Sequence, residues 1–287
     1  MEQREAVMSL DMHRTAALFI ALAVITVFMP TSSHAVSAAN VTSPFRYTFN
    51  QSGTLMEAGS MGDSSSPYFW VNSGGKMEIN NGLGMTVQGG LPVVDATRQL
   101  YAKMNSLDTA NGTMPQNTFR LVTRSQWGSA QESVKFRITK TNLTDTPNRD
   151  GYSGIFLFGR YKDQYNLYYA GIRQDGEAVI KKKIGGTYHT LGEKQVFGSQ
   201  ADYDRWSNPN LMPANTWMGI RAKYENLADG SVRIQLYLDK NNTGNFTQIL
   251  SVIDSGTGGA PFTNKGYAGI RTDYMDVQFE DFDLRNL

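Results

Sequence analysis

Between residues 169 and 189 the chain sets Tyr169, Arg173, Lys181, Lys183, Tyr188 and His189 on successive runs, YYAGIR, EAVIKKKI and TYHTL. Tyrosine and histidine move protons, while arginine and lysine neutralise carboxylates through charge-assisted hydrogen bonds. Tyrosine also presents a flat face against which a sugar ring can stack. Two chemistries follow. The first is binding of an acidic polysaccharide, with Arg137, Tyr169, Arg173, Lys181, Lys183, His189, Arg221 and Lys223 as the ligand-binding set. The second is abstraction of a proton beside a uronate carboxylate, with His189, Tyr188 and Tyr169 as the catalytic candidates. A plainer reading stands beside both: alternating Lys and Arg solvate an exposed strand face and discourage edge pairing.

These residues need strands to position them. After residue 40 no sustained helical repeat is evident, and short β-branched and aromatic runs alternate with Gly, Asn and Asp. Strands are predicted at 118–124, 133–140, 153–161, 165–173, 177–184, 187–191, 216–224, 231–239, 246–252, 266–272 and 276–284. Asp175-Gly176, Gly185-Gly186 and Asp229-Gly230 mark hairpins. The stretch 51–117 reads as early strands with long loops. An excursion over 195–215 brings Tyr203, Trp206 and Trp217 toward one rim, with core packing the expected role of both tryptophans. Such a pattern predicts an all-β fold, an antiparallel two-sheet β-sandwich or jelly roll.

The first hairpin fixes the faces. A three-residue loop, Gln174-Asp175-Gly176, sets Gly171 opposite Val179 and Tyr169 opposite Lys181, with Ile172, Ala170, Ala178 and Ile180 toward the core. Gly-Ile-Arg occurs at 171–173, 219–221 and 269–271. In each copy Ile enters the core and Arg points outward.

Composition narrows the function. The 287 residues are 40% hydrophobic, which is enough for a sizeable core, and carry 27 Lys+Arg against 26 Asp+Glu. That balance lacks the footprint of a nucleic-acid binder. The absence of cysteine excludes disulfides, thiolate metal sites and thiol catalysis. Thr15 to Met29 is an apolar run, short of the roughly 20 residues a membrane span needs. It is followed by small-x-Ala sites ending at Ala35 and Ala38. Residues 1–38 are therefore expected to be a signal peptide, cleaved after Ala35 or Ala38, with an uncleaved N-terminal anchor as the alternative. Residues 39–287 then form a single jelly-roll domain, secreted to an extracellular or periplasmic space, monomeric and without a membrane span. Cleavage removes His13 and His34, leaving His189 as the sole histidine of the mature chain.

Four stretches, GYSGIFLFGRYKDQYNLYYAGIR (151–173), DGEAVIKKKIGGTYHTL (175–191), VRIQLYLDKNNTGNFTQILSV (232–252) and GYAGIRTDYMDVQFEDFDL (266–284), carry a family resemblance. The chain resembles the jelly rolls of the concanavalin A-like lectin/glucanase superfamily, in particular laminin-G-like and family-16-glycosidase-like domains. The resemblance implies two stacked antiparallel sheets, one concave and used for glycans, and members that are glycosidases, polysaccharide lyases or binding modules. The Glu-x-Asp-x-x-Glu strand of family-16 enzymes is absent, as are the Arg-Thr/Ser-Glu-x-Arg and Gln-Ile-His strands of the lyases. The expected function is thus binding of extracellular polysaccharide, acidic glycans preferred. The alternatives are a degrading enzyme, a uronate lyase before a glycoside hydrolase, or a cell-surface interaction domain with no sugar site. The resemblance also implies a structural calcium ion. Asp239, Asn241 and Thr243 imitate the start of a calcium loop, but Leu250 stands where the bidentate acid belongs, so a hairpin loop is the better reading.

Overall fold

The β-branched and aromatic runs become strands in the computed structural model, which describes residues 35–287. The expected signal peptide lies almost wholly outside the described residues. In chain order the strands are β1 (Phe45–Tyr47), β2 (Gly53–Met56), β3 (Phe69–Ser73), β4 (Lys76–Asn80) and β5 (Leu83–Thr86). They continue with β6 (Thr118–Trp127), β7 (Ala130–Thr141), β8 (Gly154–Asp163), β9 (Asn166–Arg173), β10 (Glu177–Ile184) and β11 (Thr187–Gln195). The last are β12 (Met218–Asn226), β13 (Val232–Asp239), β14 (Thr247–Asp254), β15 (Gly266–Asp273) and β16 (Met275–Asn286).

They assemble into two antiparallel sheets. One has nine strands in the order β14-β13-β12-β7-β16-β5-β4-β2, with β1 paired to β16; the other has seven, β11-β10-β9-β8-β15-β6-β3. This is the two-sheet sandwich that the pattern and the resemblance both implied. Between the sheets lies a core in which Ile155, Leu157, Ala170, Ile172, Ile180 and Ile270 meet Val134, Phe136, Ile220, Ile234, Leu236 and Phe279. Alternate residues of each strand point to this layer and the others point outward. At Glu280 to Asp283 a bulge in β16 shifts the register, so Phe279 and Phe282 both reach the core.

The register of the β9–β10 hairpin is as the hydrophobic pattern required: Val179 opposes Gly171 and Lys181 opposes Tyr169. Gly176 closes the turn at φ +82°, a left-handed conformation that suits glycine, and its N–H donates to the Arg173 carbonyl at 3.0 Å. Ile172, Ile220 and Ile270 of the repeated triplet are all fully buried.

Two expectations need correction. The stretch 51–117 holds strands β2 to β5 but also a helix, α1 (Ala96–Met104). Asp95 caps it, accepting from the N–H groups of Thr97 at 2.8 Å and Arg98 at 3.3 Å. Its apolar positions are too few to make a long helical stripe, but the Asp cap just before it was a readable start signal. The tryptophans also leave the core. Trp206 is 51% exposed, with the guanidinium of buried Arg149 over its ring at 4.5 Å. Trp217 is half-buried and carries Arg137 at 4.9 Å.

Candidate functional site

A cleft of about 820 Å³ opens over the outer face of the seven-stranded sheet. Its floor comes from β6, β8, β9, β10, β11 and β15, which contribute Arg120, Phe156, Tyr169, Lys181, Lys183, Tyr188, Arg271 and Asp273. The opposite wall comes from Glu57, Tyr101 and Met104 of α1, Asp108, and Asp150 and Tyr152 of the loop before β8. Beneath the floor lies a small apolar layer of Val122, Phe156, Phe158, Tyr169 and Val179. Tyr169 is nearly buried there, with the rings of Phe156 and Tyr188 each 6.0 Å away.

This face is concave. The Nη1 of Arg271 on β15 donates to the Tyr188 hydroxyl on β11 at 3.0 Å. Yet β10, β9 and β8 separate those strands, roughly 19 Å along a flat sheet at about 4.8 Å per spacing. The two side chains can meet only because the sheet curls over the cleft.

The electrostatics are divided between the walls. On the floor, Arg271 donates through Nε to Asp273 at 2.8 Å. Burial pushes the Asp273 carboxyl upward despite that partner. Burial lowers Lys181, and the neighbouring guanidiniums of Arg173 and Arg271 lower it further. Burial alone would raise the Tyr188 phenol, but the charge and hydrogen bond of Arg271, with Lys183 nearby, bring it below the ordinary tyrosine value. The Lys183 ammonium lies 4.6 Å from the Tyr188 ring centre, and Lys181 lies 5.2 Å from that of Tyr152. On the facing wall the carboxylates are already engaged. Glu57 accepts from the Tyr101 hydroxyl and from the Gly75 N–H. Burial and that carboxylate push the Tyr101 phenol up to about 12. Asp108 accepts from Thr146, Asn148 and Tyr274 at 2.6, 3.0 and 3.0 Å. These bonds hold it below its usual range although burial opposes them.

The residues singled out from the sequence separate into groups. Tyr169, Lys181, Lys183 and Tyr188 come together in the cleft. Arg173 does not line it. Its guanidinium is buried against Asp175 and against Glu177, at 2.7 Å from the latter, and is covered by the Tyr152 ring at 4.1 Å. His189 follows Tyr188 directly, so the pleat turns it to the other face. There it opposes Lys182 across the strand pair and packs against Gly258. Arg137, Arg221 and Lys223 lie on β7 and β12 of the nine-stranded sheet, away from the cleft. Arg221 covers Phe246 at 3.8 Å and Lys223 covers Tyr237 at 5.1 Å. Period-two alternation says which side of a strand a residue takes, not which sheet the strand joins. The site residues missed were Arg120, Arg271 and Asp273 on the floor and Glu57, Tyr101, Asp108 and Tyr152 on the wall. Outward-facing Arg in TFRLVTR and YAGIR, and the Asp cap of α1, were the signals available.

At Asp239 the hairpin reading holds. Both carboxylate oxygens of Asp239 accept from loop donors, Oδ2 from the Gly244 N–H at 2.6 Å, and Oδ1 from the Asn241 N–H and the Thr243 hydroxyl at 3.3 Å each. The loop is thus a hydrogen-bonded hairpin tip. Among the described residues no group of three or more His, Asp or Glu side chains is placed to hold a metal ion.

No protein-family model and no curated protein matches the chain. Solved structures do resemble it. The carbohydrate-binding module CBM66 from Bacillus subtilis is 12% identical, covering 88% of this chain and 100% of that one at a TM-score of 0.43. The exoplasmic/lumenal domain of VIP36, in a Ca2+-bound form, is 10% identical over 82% of this chain and 90% of that one, at 0.45. A xylan β-1,4-xylosidase from Bacillus halodurans C-125 is 9% identical over 86% of this chain, at 0.46, and the chain spans 40% of that enzyme. Likenesses this distant say nothing of this chain's ligand. The sandwich described above rests on its own strand pairing.

Proposed function

We propose that this protein is an exported carbohydrate-binding domain whose concave cleft takes an extracellular polysaccharide, acidic glycans preferred. One observation carries the reading: three half-exposed aromatic rings, Tyr152, Tyr165 and Tyr188, surround a cleft whose floor bears Arg120, Lys181, Lys183 and Arg271. Flat aromatic faces stack on sugar rings, and cations select anionic substituents. Lys181 and Lys183 each rest over aromatic rings rather than on an acid. Affinity electrophoresis of residues 36–287 through gels containing alginate, pectate, glucuronan or neutral β-glucan tests this. Retardation by the acidic polymers that weakens with salt is the expected result, and unretarded migration in every gel would overturn it.

A second reading, elimination at a uronate, is favoured by the contact between Arg271 and Tyr188. A phenol held below its ordinary range by adjacent cations is suited to take the C5 proton. Incubation with the same acidic polymers would then release unsaturated ends that absorb in the ultraviolet. The rate would rise with pH through a range below that of free tyrosine and vanish in Tyr188→Phe. Retention without new absorbance leaves a binding domain alone.

A further inference from the structure

The cleft floor contains a like-charge pair. Arg120 of β6 and Arg271 of β15 are direct cross-strand partners, and both face the cleft. Like charges placed opposite one another on antiparallel strands repel, and a sheet normally avoids the arrangement or compensates for it. Here the compensation is partial. Asp273 takes the Nε of Arg271, and the Nη1 of Arg271 reaches Tyr188. Among the described residues Arg120 forms no ion pair, and its Nε and Nη1 are buried with no hydrogen-bond partner. Buried donors left unmade are costly, more so on a charged group. Asp108 and Glu57 of the facing wall form no ion pair with Arg120; Asp108 Oδ1 accepts from Thr146, Asn148 and Tyr274, and Glu57 Oε2 from Tyr101 and Gly75.

We infer that Arg120 and Arg271 form the subsite that receives one anionic substituent of the bound sugar, a carboxylate or a sulfate ester, with Arg120 as the principal donor. The inference rests on the reading of the cleft as a glycan site and adds to it a particular recognition element. An oxyanion between the two guanidiniums would satisfy the orphaned donors of Arg120 and turn the repulsion into shared attraction. Lys181 and Lys183 lie farther along the same floor and raise the general affinity for a polyanion without selecting the position of its charge.

The test is calorimetric titration of residues 36–287 with oligosaccharides of polyglucuronate, with their carboxyl-reduced neutral derivatives, and with a sulfated derivative of those neutral chains. Wild type should bind the carboxylated or the sulfated form more tightly than the neutral one, and whichever is tighter names the substituent. Arg120→Gln should weaken binding of that form roughly 10- to 100-fold, the loss expected for hydrogen bonds to a charged group, and weaken that of neutral chains far less. Arg120→Lys should recover only part. Because the substitution relieves repulsion, ligand-free Arg120→Gln should melt no lower than wild type, whereas loss of a structural arginine would lower the melting temperature. Acidic binding that Arg120→Gln leaves unchanged, or a fall in its ligand-free melting temperature, overturns this assignment and leaves the glycan cleft standing. Failure of wild type to bind any of the chains overturns both.

Discussion

At the scale of single residues, the Gly-Ile-Arg triplet shows how one sequence solution diverges in use. Its glycine recurs where another group comes close. A Cβ on Gly171 would stand 2.1 Å from the Ile155 carbonyl, one on Gly219 2.8 Å from the Phe246 ring, and one on Gly269 2.0 Å from the Leu121 carbonyl. Its isoleucine is core in every copy. Its arginine is outward in every copy, yet Arg173 is neutralised by acids, Arg221 lies on Phe246 and Arg271 serves the cleft. Arg173 is therefore a structural residue. Arg173→Ala leaves Asp175 and Glu177 buried without their cation and should destabilise the fold by about 3–5 kcal/mol in urea unfolding. Unchanged stability would show that the pair is not needed. The outward direction of each arginine was legible in the alternation. Its partner was not, since Asp175, Glu177 and Glu193 reach Arg173 through a turn and a neighbouring strand that the triplet does not encode.

At the scale of elements, strand pairing accounts for most of what was readable and for what was misread. The β9–β10 register followed from hydrophobic alternation and one glycine, because a slip of one residue would turn Ile172 and Ile180 out of the core. The assignment of β7 and β12 to the other sheet had no such local signature, so Arg137, Arg221 and Lys223 were placed beside residues they never meet. Helix α1 was missed although it supplies Tyr101 and Met104 to the cleft. A cross-sheet contact offers a test at this scale. Glu132 of β7 is fully buried, and its Oε2 accepts from the Gly269 N–H of β15 at 3.2 Å while its Oε1 has no partner. Burial pushes this carboxyl well above its ordinary 4.5. Between the unfolded and folded values the native state holds a proton that the unfolded chain has lost, so stability falls as pH rises through that window. Glu132→Gln should therefore gain on wild type with increasing pH, by at most about 1.4 kcal/mol per pH unit. Urea titrations from acid to neutral pH measure the difference. A constant gap between the two proteins would mean that Glu132 ionises normally.

At the scale of the molecule, two sheets share one core, and the outer concave face of one of them carries the cleft. The architecture was legible because turn signals and apolar alternation persist from residue 118 to the end. The curl that creates the cleft was not, since it emerges from the cumulative twist of seven strands. The described chain begins against the sandwich, where the Val36 N–H donates to the Ser64 carbonyl at 3.0 Å and Arg124 donates to the Val36 carbonyl at 2.5 Å. A mature protein starting at Val36 keeps these bonds and one starting at Ala39 lacks them, so the longer form should be the more stable by about 1 kcal/mol in thermal unfolding. Tyr188 has a different consequence. It rides on β11, the outermost strand of its sheet and hydrogen-bonded within that sheet to β10 alone, whereas its partner Arg271 sits on the interior strand β15. Edge strands open in local excursions that leave the core intact. A ligand joining the two would couple a loose margin to a fixed centre, so occupancy of the cleft should slow amide exchange along residues 187–195 and leave that of β15 as it was.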